Sequence, residues 1–235
     1  MGANDGQLQV SVLTRAIAPT RTKPRFVRLP VLAVALVLLA LFGALTAYAA
    51  AHTYMPFDVP VERWIQSLPW GPLVSVFTAF DWLEGTKQYY AGIGVILLVT
   101  AFNWKNFPLI AIAASSGFVY TFVELAIRRP RPSADLVNVI RHTGSFSFPS
   151  GHVVFFSWVI VLLIVCLGYR RLSRPLLTAA WVIGGLVLLI TCAGRIYLGE
   201  HWPSDVLGGL ALGLGWTTLA LSIRLLSNHS LEHSR

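Results

Sequence analysis

Charge is what this sequence lacks. Only 12% of its 235 residues are Asp, Glu, Lys or Arg, about half the share of a soluble globular domain. A water-facing surface cannot be built from so few, which excludes an ordinary soluble protein. Acids are scarcer than bases, ten against 18, leaving a net charge of +8. Sulfur is scarce too. Cys166 and Cys192 are the two cysteines, and both fall within apolar runs. They read as small packing residues, with no disulfide framework and no thiolate metal site. The opening "MGANDG" carries Gly6 where N-myristoylation requires Ser or Thr. No metal and no cofactor is called for.

What the chain has instead is uncharged length. Runs free of charge cover Leu29–Phe57, Gln88–Trp104, Asn106–Val123, His142–Tyr169, Pro175–Gly194 and Val206–Ile223. A helix needs about 20 mostly apolar residues to cross a bilayer, so these runs predict an all-α membrane protein with six transmembrane helices. The first run exceeds a signal peptide's core of about 7–15 apolar residues and is read as an anchor. A further run, Trp64–Phe80, is broken by Pro69, Gly71 and Pro72. It predicts a short interfacial helix between spans one and two, with Trp64, Trp70 and Trp82 at headgroup level. The domain expectation is a basic, disordered tail over residues 1–28, a six-helix membrane domain over 29–227 and a C-terminal tail over 228–235.

Six spans with a cytoplasmic N-terminus place Arg15, Arg21, Lys23, Arg25, Arg28, Lys105, Arg170, Arg171, Arg174, Arg224 and Arg235 inside. That is 11 of the 18 basic residues, with only Asp5 and Glu232 among the acids. The positive-inside rule favours this orientation, with both termini cytoplasmic. Net positive charge then reflects topology and anionic lipid, and nucleic acid is not a needed partner. Seven bases and eight acids remain on the outer face. Arginine there needs something anionic beside it, and a phosphate would serve.

Parity brings three segments to that outer face: "ELAIRRPRP" (Glu124–Pro132), "PSGH" (Pro149–His152) and "GRIYLGEHWPSD" (Gly194–Asp205). Ser150 suits an N-cap, and the unpaired N–H groups of the following helix form an anion site that Gly151 lets a ligand approach. His152 stands just inside. Pro203 fits the first turn of span six. His201 and Asp205 are four apart, so Asp205 is expected to accept from His201 Nδ1–H and leave Nε2 as the reactive edge.

Together these segments resemble the type 2 phosphatidic acid phosphatase family, whose superfamily includes the vanadium haloperoxidases. Arg131-Pro132 fits the family's first motif, Pro149 to His152 its second, and Arg195, His201 and Asp205 its third. The resemblance covers spans three to six closely. It implies His201 as nucleophile, Asp205 as the support of His201, His152 as general acid and base, and Arg131, Arg195, Ser150 and Gly151 as phosphate ligands. The implied chemistry is metal-free hydrolysis of a lipid phosphomonoester or diphosphate through a phosphohistidine. The lipid is drawn from the bilayer; polyprenyl diphosphate, phosphatidate and phosphatidylglycerophosphate all fit. An outward site favours the polyprenyl carrier in a bacterial cytoplasmic membrane.

Two positions depart from the family. Gly194 replaces a serine, and Glu124 stands seven residues before Arg131 where the family has lysine. Glu124 is therefore expected to orient Arg128 or Arg129, one of which supplies the missing positive charge. A catalytically weak lipid-phosphate-binding protein is the rival reading. A vanadate haloperoxidase is disfavoured by the six runs. Gly208, Gly209, Gly213 and Gly215 are expected to let span six pack closely.

Overall fold

The computed structural model describes residues 26–223 and 226–228. Most of the basic tail and the C-terminal tail beyond residue 228 lie outside the described residues. An isolated bridge between Val27 and Ile223 is the sole β pairing among the described residues; all else is helix and connection.

Helix α1 (Leu29–Ala51) starts with Pro30 in its first turn, where a missing N–H costs nothing. The interrupted run after it folds as two short helices, α2 (Asp58–Ser67) and α3 (Leu73–Asp81). They are separated at Pro69–Pro72, where Gly71 takes a left-handed φ of 52°. One short helix was expected in this stretch; the second arises because Asp58 opens a helix ahead of the proline break. Helix α4 (Thr86–Phe102) follows Gly85, also left-handed. A short 3-10 turn leads into α5 (Phe107–Ala114) and α6 (Ser116–Ile127), which together form one apolar stretch of 24 residues, Trp104–Ile127. Helix α7 (Gly151–Leu163) continues through a wide π turn to Gly168, and α8 (Arg174–Tyr197) and α9 (Pro203–Ser222) complete the bundle.

Five of these stretches are long and apolar enough to cross a membrane: α1, α5–α6, α7 with its π turn, α8 and α9. Helix α4, at 17 residues, is shorter than the others. Burial sorts the bundle into layers. The most apolar stretches of α7 and α9 are 67% and 61% buried, against 11% for α1 and 17% for α8. The pair α7 and α9 therefore forms the axis, and the outer helices turn large side chains such as Val37, Phe118, Phe122 and Leu189 outwards.

The axis is tight because α9 presents glycine where α7 comes closest. A Cβ on Gly209 would stand 2.8 Å from the Ser150 carbonyl oxygen and 2.9 Å from Val153 Cβ. One on Gly213 would stand 2.6 Å from Ser157 Cβ. These contacts fix the height of the Pro149–His152 segment against α9. Gly209→Ala is expected to destabilise by about 1–3 kcal/mol, since a backbone oxygen cannot step aside. Gly185→Ala, on α8 with open space around its Cβ, is expected to be neutral or to stabilise by up to about 1 kcal/mol. Thermal unfolding of the two variants in detergent checks the contrast.

Candidate active site

The three motif segments meet at one end of the bundle, and backbone hydrogen bonds hold them there. Ser147 N donates to Arg129 O at 2.9 Å, Ser150 N to Asp205 O at 3.0 Å, and Ile140 N to Leu198 O at 3.0 Å. Trp202 Nε1 adds a bond of 3.2 Å to Pro130 O. The loop before α7 is thereby tied to the ends of α6 and α8 and to the start of α9.

His201 sits at the centre, 4% exposed. Its Nδ1 lies 2.7 Å from the Ser147 carbonyl oxygen, and its Nε2 lies 3.3 Å from Arg131 Nη1. A carbonyl only accepts and a guanidinium only donates, so the ring is neutral with its proton on Nδ1. Burial and the Arg131 and Arg195 charges hold its pKa well below the usual imidazole value. The tautomer is the expected one; its acceptor is not. Asp205 Oδ2 stands 3.9 Å from Nδ1 and accepts instead from Trp202 N at 2.9 Å. An acid three residues into a helix reaches back to its free N–H groups, and that geometry wins over the i,i+4 pair. Asp205 Oδ1 accepts from Arg129.

His152 is 6% exposed, its Nε2 has no hydrogen-bond partner, and it lies within electrostatic reach of Arg195, His201, Asp81 and Arg131. Ser150 is the N-cap residue of α7, but its buried hydroxyl makes no capping bond. Gly151 begins the helix under the Tyr120 ring, whose Cζ stands 2.9 Å from the position of a Cβ.

The two expected phosphate arginines differ in their partners. Arg131 donates to Ser145 O at 2.9 Å, Ser145 Oγ at 2.7 Å and Glu200 O at 2.6 Å. Arg195 is fully buried and donates to Asp81 Oδ1 at 2.9 Å, Glu200 Oε2 at 2.6 Å and Phe77 O at 3.2 Å. Asp81 also pairs with Arg141. Burial pushes the Glu200 carboxyl up to about 7, with Arg195 opposing and Asp81 reinforcing. Burial also resists ionisation of Asp81, yet its bonds to Glu200 and Arg195 hold its pKa below the usual carboxylate value. Below about pH 7 one proton serves the pair, and it resides on Glu200.

The expectation for Glu124 fails on geometry. Arg129 is 1% exposed and spends its donors on Thr53 O (2.9 Å), Ser204 Oγ (2.8 Å), Asp58 Oδ2 (3.0 Å) and Asp205 Oδ1. Arg128 leaves the helix in a left-handed conformation, φ 52°, and bonds Leu125 O at 3.1 Å while facing the Phe146 ring. Neither arginine pairs with Glu124. Gly194 has its own explanation: a Cβ there would meet the Phe77 ring at 2.9 Å.

Asp58, Asp81, Glu200 and Ser147 are site residues that sequence reasoning passed over. The signal was there: the segments expected on the outer face hold eight acids against seven bases, and Arg129, Arg141 and Arg195 take carboxylates of this chain as partners. Glu62, fully buried, has neither carboxyl oxygen hydrogen-bonded. Burial pushes its pKa up to about 9, with repulsion from Asp58 and Asp205 adding to it.

The sequence profile of the PAP2 superfamily matches residues 104–228. Phosphatidylglycerophosphatase B of Bacillus subtilis (strain 168) is 29% identical over 117 residues, 48% of this chain and 54% of that protein. This match thus spans about half the length of the relative. Lipid A 1-phosphatase of Rhizobium etli is 28% identical over 204 residues, 76% of this chain and 82% of that one. In structure, a transmembrane PAP2-type phosphatidylglycerolphosphate phosphatase from Bacillus subtilis superposes with a TM-score of 0.63 at 20% identity, covering 86% of this chain and 98% of that one. At that identity the likeness concerns the fold.

Glu62 yields a stability prediction. Its pKa is raised on folding, so the folded chain holds its proton from about pH 4.5 to about pH 9, where the unfolded chain has lost it. Stability from this group is complete below the unfolded pKa and is lost as pH rises through the folded one. Glu62→Gln removes that loss. The Tm of the variant minus that of the parent is expected to grow by several degrees between about pH 5 and about pH 9. Thermal unfolding at the two pH values measures it, and a constant difference contradicts it.

Proposed function

The chain belongs to the PAP2 superfamily, and from that membership we propose that it is an integral-membrane lipid phosphatase working through a phosphohistidine without a metal. The observation that carries the reading is His201: a neutral imidazole whose Nδ1–H is tied to a carbonyl and whose Nε2 faces an arginine.

In the proposed reaction a phosphate draws Arg131 from Nε2 onto its own oxygens, which uncovers the lone pair. Nε2 attacks phosphorus in line, and the P–O bond to the lipid breaks. His152 gives its proton to the leaving oxygen, the incoming anion having favoured the protonated ring. The Ser147 carbonyl and the Asp205 carboxylate behind it stabilise the positive imidazole. Arg131, Arg195, the Ser150 hydroxyl and the Gly151 N–H hold the equatorial oxygens, where preorganised charge lowers the barrier. His152 then takes a proton from water, which attacks phosphorus, releases phosphate and restores His201.

We read α4 as a sixth span. Its 17 residues extend about 26 Å, close to a hydrocarbon core of about 30 Å. Gln88, near its start, donates to Gly151 O at 3.4 Å, while Phe102 at its end lies under Arg171. Helices α2 and α3 then rest at the outer interface. Lys105, Arg170, Arg171 and Arg174 fall on the opposite, cytoplasmic side. Substrates in this reading are lipid phosphates or diphosphates, among them polyprenyl diphosphate, phosphatidate and phosphatidylglycerophosphate.

Phosphate release from these three lipids by detergent-purified protein in EDTA is the direct test. His201→Ala is expected to lower kcat/KM by at least about a thousandfold, and the parent to trap an acid-labile, base-stable phosphoprotein. Release that requires added metal contradicts the mechanism, and silence on every lipid favours a binding protein. Glu200 sets a pH limit. Above about pH 7 it ionises and a second negative charge competes for Arg195. The expected fall in kcat/KM through that pH should vanish in Glu200→Gln.

A further inference from the structure

Glu124 is a carboxylate where the resembling family carries a lysine, and among the described residues it pairs with no cation. It is 8% exposed; the Tyr120 hydroxyl donates to its carboxylate, and its Oε1 accepts no hydrogen bond. The arginines that follow it in sequence are turned elsewhere: Arg128 to Leu125 O and Phe146, Arg129 to Asp58 and Asp205. A buried acceptor without a donor is costly, and more so when charged.

Its place is as informative as its lack of a cation. Tyr120 and Glu124 share one face of α6, a turn apart; the Tyr120 hydroxyl donates to Glu124 and lies within electrostatic reach of Arg131. That hydroxyl stands 3.0 Å from the Cβ position of Gly151, at the helix start assigned to phosphate. Glu124 is thus separated from the phosphate position by one side chain, that of Tyr120. A negative group there repels a phosphate oxygen and attracts a positive group carried next to the phosphate.

Resting on the lipid phosphatase reading, we propose that Glu124 is a specificity-determining residue that selects lipid phosphates bearing an ammonium group on the carbon adjacent to the phosphoester carbon. Its free oxygen accepts from the ammonium while the phosphate lies between Arg131 and the start of α7. A hydroxyl at the same carbon is a weaker second choice, since a neutral donor adds less than a charged one.

A matched series of single-chain amphiphiles isolates the effect: dodecyl phosphate and its 2-hydroxy, 2-amino and 2-acetamido derivatives. The acetamido compound keeps the bulk of the amine and loses its charge. With the parent protein in detergent, kcat/KM for the amino compound is expected to exceed that for dodecyl phosphate by about tenfold or more, as a hydrogen bond to a charged group allows. The hydroxy compound should fall between them and the acetamido compound should show no gain. In Glu124→Gln the preference should collapse, and in Glu124→Lys it should invert, with dodecyl phosphate hydrolysed better than by the parent. Affinities for the corresponding non-hydrolysable phosphonates, measured by calorimetry, give the same ranking independently of turnover. Ranked binding without hydrolysis would refute the phosphatase reading and uphold the role of Glu124. Equal binding and equal turnover across the series in the parent would overturn the inference, whatever the variants do.

Discussion

A buried arginine must find acceptors inside the protein, and Arg129 finds them on three separate parts of the chain. Its guanidinium bonds Thr53 O just beyond α1, Asp58 at the start of α2, and Ser204 and Asp205 in the first turn of α9. Asp58 completes the knot by accepting from Met55 N, Ser204 N and Ser204 Oγ at 2.6, 2.8 and 2.7 Å. Removing one partner from such a group leaves an uncompensated buried charge, at a cost of about 3–5 kcal/mol. What the cluster secures is position. Asp205 is held to Trp202 N, so the turn carrying His201 is fixed at the same moment as the helix that follows it.

Large parts of this arrangement are legible in the sequence, because a bilayer enforces simple rules. A helix crossing lipid has to be long, apolar and free of charge, so five of the six charge-free runs correspond to the long apolar helices. The motif spacings foretell that Arg131, His152, Arg195 and His201 share one end of the bundle. What is not legible is which carboxylate meets which arginine. Asp58 and Arg129 lie 71 positions apart, Arg195 and Asp81 114 apart. No periodicity encodes such pairs; the packing of α2 and α3 against the bundle creates them.

The two local errors have a common physical origin. Both expected a side chain to meet a neighbour four or five residues away, as in an ideal helix, at a helix end where the geometry changes. His201 precedes the first turn of α9, so Asp205 serves the backbone of Trp202. Arg128 follows the last turn of α6 in a left-handed conformation, so its side chain swings away from Glu124. Chain ends of this kind are decided by unsatisfied backbone groups, which compete with side chains for the same partners.

Charge balance then separates the roles of the two site arginines. Arg195 already shares two carboxylates, and a phosphate has to compete with them; the proton on Glu200 sets how hard that competition is. Arg131 donates to two carbonyls, a hydroxyl and an imidazole nitrogen, all uncharged. Exchanging neutral acceptors for a charged one strengthens each bond it makes. In the proposed reaction Arg131 is therefore the group with most to gain from an arriving phosphate. Its departure from Nε2 is also the step that frees the nucleophile, so substrate binding and activation of His201 become one event.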